Sequence, residues 1–215
     1  MLNEDSIKAR LKVYGYWTIW VSIAFFGVYP ACNYLTAKRD SHLHLYLPFE
    51  LELPFIPHFV WPYLSMYLLF VLIPFCMRLK SLKPLGKNLV IGTVISGLLF
   101  LIFPTINGFE RIAPESGIYH SIFVKIIEVD LPHNMAPSLH VVYCGLILLT
   151  MSADNKSILS KLIYIGWLIL ICLSTLFVHQ HHILDVITGL TLAGYLRKRM
   201  RASIDEQNLR ESVGE

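Results

Sequence analysis

Leu162–Gly189 reads LIYIGWLILICLSTLFVHQHHILDVITG. An apolar run ends at Val178 in three closely spaced histidines, His179, His181 and His182, with Asp185 four positions after the middle one. Apolar sequence then resumes at Ile183. A run of this length approaches the roughly 20 residues a helix needs to cross hydrocarbon. Ionisable groups at the edge of such a span are costly, and they mark function by default. The stretch therefore predicts two membrane helices joined at a reactive turn.

Working outward, the whole chain has the same character. It has 215 residues, 55% of them hydrophobic and only 15% charged. Mean hydropathy is +0.56. That excludes an ordinary water-soluble domain. The net charge of +3 is small, and nothing in it points to nucleic acid as a partner. The cysteines, Cys32, Cys76, Cys144 and Cys172, lie far apart inside apolar spans and read as small hydrophobes. Tyr29-Pro30-Ala31-Cys32 is a poor lipidation match, because an aromatic stands where a small aliphatic residue is needed.

Six apolar spans can be drawn: Tyr14–Tyr34, Val60–Met77, Leu89–Ile106, Leu139–Ser152, Leu162–Val178 and Ile183–Leu196. The expected fold is an all-α polytopic membrane protein, one domain over residues 1–200 followed by a polar, frayed cytoplasmic tail over 201–215. Of the 18 lysines and arginines, 14 lie at the N-terminus, between Arg78 and Lys87, at Lys156 and Lys161, or from Arg197 onward. The positive-inside bias puts both termini in the cytoplasm. All nine histidines then fall on the opposite face. The first outer loop, His42–Pro62, alternates acids and apolar residues between prolines and suits an interfacial segment. Gly92 with Ser96, and Gly189 with Ala193, are spaced for close helix approach.

Two constellations carry chemistry. His181 and Asp185 are spaced to share a face if the turn is helical, which lets the carboxylate fix the imidazole tautomer. A satisfied polar pair at a helix start would show the same spacing. Ala136-Pro137-Ser138-Leu139-His140 carries a helix-start signature on the same outer face. Free N–H groups there suit a phosphate, with His140 beside it.

Together these residues resemble the type 2 phosphatidic acid phosphatase superfamily. Its second motif, P-S-G-H, is matched by Pro137-Ser138-Leu139-His140. Its third, S-R-x5-H-x3-D, is matched by Ser174, Thr175, His181 and Asp185. The resemblance spans roughly Leu89–Leu196. It implies a six-helix core in which His181 attacks phosphorus, Asp185 orients it, and His140 protonates the leaving oxygen and later acts as base. No metal or other cofactor is required in that scheme. Ser138, Ser174 and Thr175 would contact the substrate phosphate, and His182 would flank it.

The chain also departs from the family. The first motif, K-x6-R-P, is absent, and Thr175 stands where the third motif has arginine. Arg111 is the candidate replacement, with Lys125 behind it; an interfacial arginine beside Glu110 is the plainer reading. Loss of these arginines is similar to the sphingomyelin and inositol-phosphorylceramide synthase branch, which transfers a phospho-head-group to a lipid alcohol. The expected substrate is a lipid phosphate or phospholipid. The expected location is an integral one, in a bacterial inner membrane, with the site facing the periplasm or outside. The short fourth and sixth spans suggest a site recessed below that surface. A metal- or haem-binding membrane protein using His140, His179, His181 and His182 is the alternative, and a transporter with a His/Asp relay ranks below it.

Overall fold

The computed structural model describes residues 5–213, with side chains to Asp205. Among the described residues it is all-helical, with two isolated bridges in place of strands. The helices are α1 (Ile7–Thr36), α2 (Val60–Cys76), α3 (Leu79–Ile102), α4 (Gly117–Val129), α5 (Leu139–Asp154), α6 (Ile158–Phe177) and α7 (Ile183–Val213). Four segments are long and apolar enough to cross a membrane: α1, α2 with the turn before it, α3 and α6.

The short apolar helix α5 is the centre of the bundle. Leu139, Val141, Val142, Cys144, Leu146, Ile147, Leu148 and Met151 are all buried, against α2, α3, α6 and α7. A helix apolar all round needs such enclosure. The outer helices do the reverse. Phe26, Val71, Phe75, Leu162 and Ile169 are each more than half exposed. Apolar surface of this extent, spread over the long helices, suits lipid contact. Close approach depends on small residues. A Cβ on Gly145 would sit 2.8 Å from that of Ala193, and one on Gly92 would lie 3.2 Å from Leu196 and Val142.

Three elements differ from the sequence expectation. α3 starts at Leu79, ten residues before the predicted span. Asp154 accepts from Arg78 N at 3.0 Å and Ser81 Oγ at 2.8 Å, and Asp5 accepts from Leu79 N at 3.0 Å. Carboxylates thus satisfy the helix start, and Lys80, Lys83 and Lys87 line its exposed face. α4 lies within what reads as an outer loop. Its apolar residues recur at helical spacing, but 13 residues are too few to span, and only Phe123 is buried. α7 continues through the basic cluster to Val213 instead of fraying. Arg201 and Asp205 pair at 3.7 Å along it, and no glycine or proline occurs between Gly194 and Gly214. The last two residues of the expected tail, and the first four of the expected domain, lie outside the described residues.

The loops at the histidine-bearing end are knitted together. Leu43 N donates to Pro104 O at 2.7 Å, Ile106 N to Leu43 O at 3.2 Å, and Asn107 N to Pro132 O at 2.9 Å. The lysines and arginines around Arg10, Arg78, Lys156 and Arg197 belong to the other end of the bundle, where α1 and α3 begin and α5 ends.

Candidate active site

The starts of α5 and α7 meet directly. Ser138 N donates to the Asp185 carbonyl at 3.0 Å. Ser138 is the N-cap of α5, its hydroxyl accepting from Val141 N at 3.3 Å. Gly189 makes the contact possible, since a Cβ there would come within 2.9 Å of the Ser138 carbonyl oxygen. His140, one residue into α5, stacks on Tyr63 at 4.3 Å and lies within coulombic reach of His181. Its Nε2 is buried without a partner.

His181 precedes α7 and is not helical; its N–H donates to Thr175 O at 3.0 Å. Its Nδ1 nevertheless lies 3.5 Å from Asp185 Oδ2, an ion-pair distance longer than an ordinary hydrogen bond. The same oxygen accepts from His182 N at 2.7 Å, so Asp185 also caps the helix. Asp185 Oδ1 is buried without a partner.

His181 and Arg111 line one cavity with Tyr29, Asn107, Asp130 and His133. Its volume, open mouth included, is about 240 Å³. Arg111 Nη2 donates to the Asp130 carbonyl, which fixes the side chain at the wall. Lys125 is elsewhere, pairing with Glu128 at 3.1 Å on the exposed face of α4. The loop floor is held by buried polar bonds: Asn134 to Asn33 at 2.7 Å, Thr36 to Asn134 at 3.0 Å, and Met135 N to Thr105 Oγ1 at 2.9 Å.

The other expected phosphate contacts are committed to the fold. Ser174 donates to Ile171 O at 2.6 Å and Thr175 to Cys172 O at 2.8 Å, and both are fully buried. Ser138 is likewise fully buried. His182 Nε2 accepts from Gly108 N at 3.0 Å, and its ring stacks on Phe109 at 4.3 Å and Tyr46 at 4.6 Å. His179 stacks on the same phenylalanine at 4.0 Å and bonds the Leu53 carbonyl at 3.0 Å. These two histidines belong to an aromatic column beside the cavity. Burial holds both below the ordinary imidazole value of 6.5; the Asp185 and Glu50 carboxylates oppose this for His182, and the Leu53 carbonyl for His179. Among the described residues, no three His, Cys, Asp or Glu side chains converge as metal ligands.

Two carboxylates at this end were not singled out by the sequence. Glu50, 1% exposed, accepts from Leu47 N at 2.9 Å and Ile183 N at 2.7 Å, and lies 3.4 Å from His182 Nδ1. It reaches across from the first outer loop to cap α7. Asp130 ends α4, with Oδ1 2.5 Å from the Tyr29 hydroxyl. Burial raises its pKa, while the Tyr29 bond and the charges of His181 and Arg111 draw it down. The available signal was an acid with apolar residues on both sides: Glu50 between Phe49 and Leu51, Asp130 between Val129 and Leu131.

The chain matches no protein-family model, no curated protein and no solved structure.

Proposed function

We propose that this chain is an integral-membrane phosphoryl-transfer enzyme, similar to the type 2 phosphatidic acid phosphatase superfamily. Its substrate is a lipid phosphate or phospholipid. His181 is the nucleophile, Asp185 its orienting partner and His140 the acid for the leaving oxygen. The single observation that carries this reading is the shared cavity: His181 faces a pocket whose wall holds the fixed guanidinium of Arg111. A nucleophile and a cation converging on one small polar space suit a phosphoryl group. Arg111 does for this chain what the family's missing arginines would do. The unformed bond at His181 Nδ1 fits a site that tightens when substrate arrives.

In the membrane, α1, α2, α3, α5, α6 and α7 cross, both termini face the cytoplasm, and the site opens on the outer face, the periplasmic side of a bacterial inner membrane. The separation of basic and histidine-bearing ends supports this orientation. α4 then lies at the interface beside the cavity.

The test is purified protein in detergent with labelled lipid phosphates and phosphodiesters, with and without lipid alcohols. Release of free phosphate identifies a phosphatase; a new lipid product identifies a transferase. Turnover should survive EDTA, be blocked by vanadate, and vanish in His181→Ala and His140→Ala. Full activity in both variants sinks the proposal, and stoichiometric metal in the purified protein favours the metal-binding alternative.

A further inference from the structure

We infer that Asp130 is a further catalytic residue: its carboxylate takes the proton of the incoming hydroxyl as that oxygen attacks phosphorylated His181. The inference rests on the phosphoryl-transfer reading and goes beyond it, since neither sequence motif contains this residue.

A base must reach the proton it removes. Asp130 lines the cavity that His181 lines. His140 is not among the residues that line it; its ring stacks on Tyr63. Among the described residues, the Asp130 carboxylate makes a single bond to the rest of the fold, from the Tyr29 hydroxyl of α1. Arg111 holds the backbone carbonyl of Asp130, not its side chain. Tyr29 engages Oδ1 alone, and among the described residues no protein donor engages Oδ2. A partly buried carboxylate held by one hydroxyl is costly, and such cost collects at functional sites.

The groups facing Asp130 are Tyr29 from α1, Tyr63 from α2, Arg111 and His133 from the loops, and His181 from the turn before α7. Burial raises the pKa of the carboxylate, against the Tyr29 bond and the His181 and Arg111 charges, and a raised pKa makes it a better base. In the step, the acceptor oxygen forms a bond to phosphorus as the bond from phosphorus to His181 nitrogen breaks. The electron pair of that bond returns to the imidazole, and the acceptor's proton passes to Asp130 Oδ2. Water as acceptor gives inorganic phosphate; an alcohol gives a phosphate ester.

The test uses a 32P-labelled long-chain aryl phosphate, whose phenolate leaves without needing a proton, and an alkaline quench in which a phosphoramidate survives. Asp130→Asn should acquire label on His181 as wild type does and then retain it, with turnover reduced about 100-fold. Asp130→Glu should recover part of that loss. Tyr29→Phe removes a bond that lowers the Asp130 pKa, so the acid limb of the dephosphorylation rate should move to higher pH. Asp130→Asn that loses label at the wild-type rate overturns the inference and leaves the reading of the site intact. Asp130→Asn that never acquires label, while wild type does, overturns it too. Wild-type protein that acquires no label, or His181→Ala that does, overturns the reading itself. Should Asp130→Asn fail to fold, Tyr29→Phe decides alone, and an unmoved acid limb counts against the inference.

Discussion

The backbone N–H of Ser138 donates to the backbone carbonyl of Asp185 at 3.0 Å, so residues 47 positions apart hold the starts of α5 and α7 in fixed register. The bond sets His140 beside the turn that carries His181. It depends on a backbone approach that only a residue without a side chain permits.

Gly189→Ala tests that approach. The added methyl group would lie 2.9 Å from the Ser138 carbonyl oxygen and 3.1 Å from Val141 Cβ. One of these is backbone and the other sits on a buried helix, so neither can turn aside. Overpacking of this kind costs about 1–3 kcal/mol, against a helix-propensity gain of about 1 kcal/mol from removing glycine. A lower melting temperature in detergent, with activity falling further than stability, is the expected outcome. Gly166→Ala is the control, because nothing lies within 4 Å of a Cβ there.

Glu50→Ala should destabilise α7 from a distance. It removes the acceptor for Leu47 N and for Ile183 N, both inside the loop cap. Both bonds are partly buried, so each donor left unpaired costs at most about 1–3 kcal/mol. Glu50→Gln keeps one oxygen and should lose roughly half as much. Thermal unfolding of the three proteins side by side checks the order.

That α5 and α7 start at one end of the bundle was legible because its causes are local. Pro137-Ser138 announces a helix start, Gly189 and Ala193 announce close approach, and hydropathy marks the spans on either side. Other features depended on partners distant in sequence. Nothing near Leu79 signals that Asp5 and Asp154 will cap it, and α4 is too short for a search tuned to membrane-length spans. The roles of the two histidines beside His181 are similar. Spacing to Asp185 marks His181 in the sequence, but what His179 and His182 do is not legible there, because Phe109, Tyr46 and Leu53, which hold that pair, come from other segments.

Stability should fall as pH drops below neutrality. Burial depresses His182, His179 and His133 below the ordinary value of 6.5. In the unfolded chain these rings take up protons as pH falls through about 6.5, whereas the folded ones resist until lower pH. The unfolded state then binds more protons, so stability is full above that window and declines within it. Asp130 has the opposite sign: raised above 3.8, it binds its proton more readily in the folded state, which eases the decline nearer the carboxylate range. Melting temperature measured from pH 8 to pH 4 should trace this shape. His182→Gln should flatten the slope just below pH 6.5 but not abolish it, because His179 and His133 remain.

Arg111 offers the sharpest test of how a phosphate is held. One guanidinium nitrogen is spent on the Asp130 carbonyl, and the residue lines the cavity that His181 shares, with further donors uncommitted among the described residues. Arg111→Ala removes the charge and the fork, so kcat/KM for a lipid phosphate should fall by about 100-fold or more. Lysine at this position restores a point charge without the fork and should recover only part. If Arg111 served the Asp130 carbonyl alone, alanine would lower the melting temperature and leave ligand affinity untouched. Vanadate inhibition separates the two, since a phosphoryl clamp predicts a weaker inhibition constant in Arg111→Ala in addition to any loss of melting temperature from the Asp130 bond. An unchanged constant would remove Arg111 from the phosphate site.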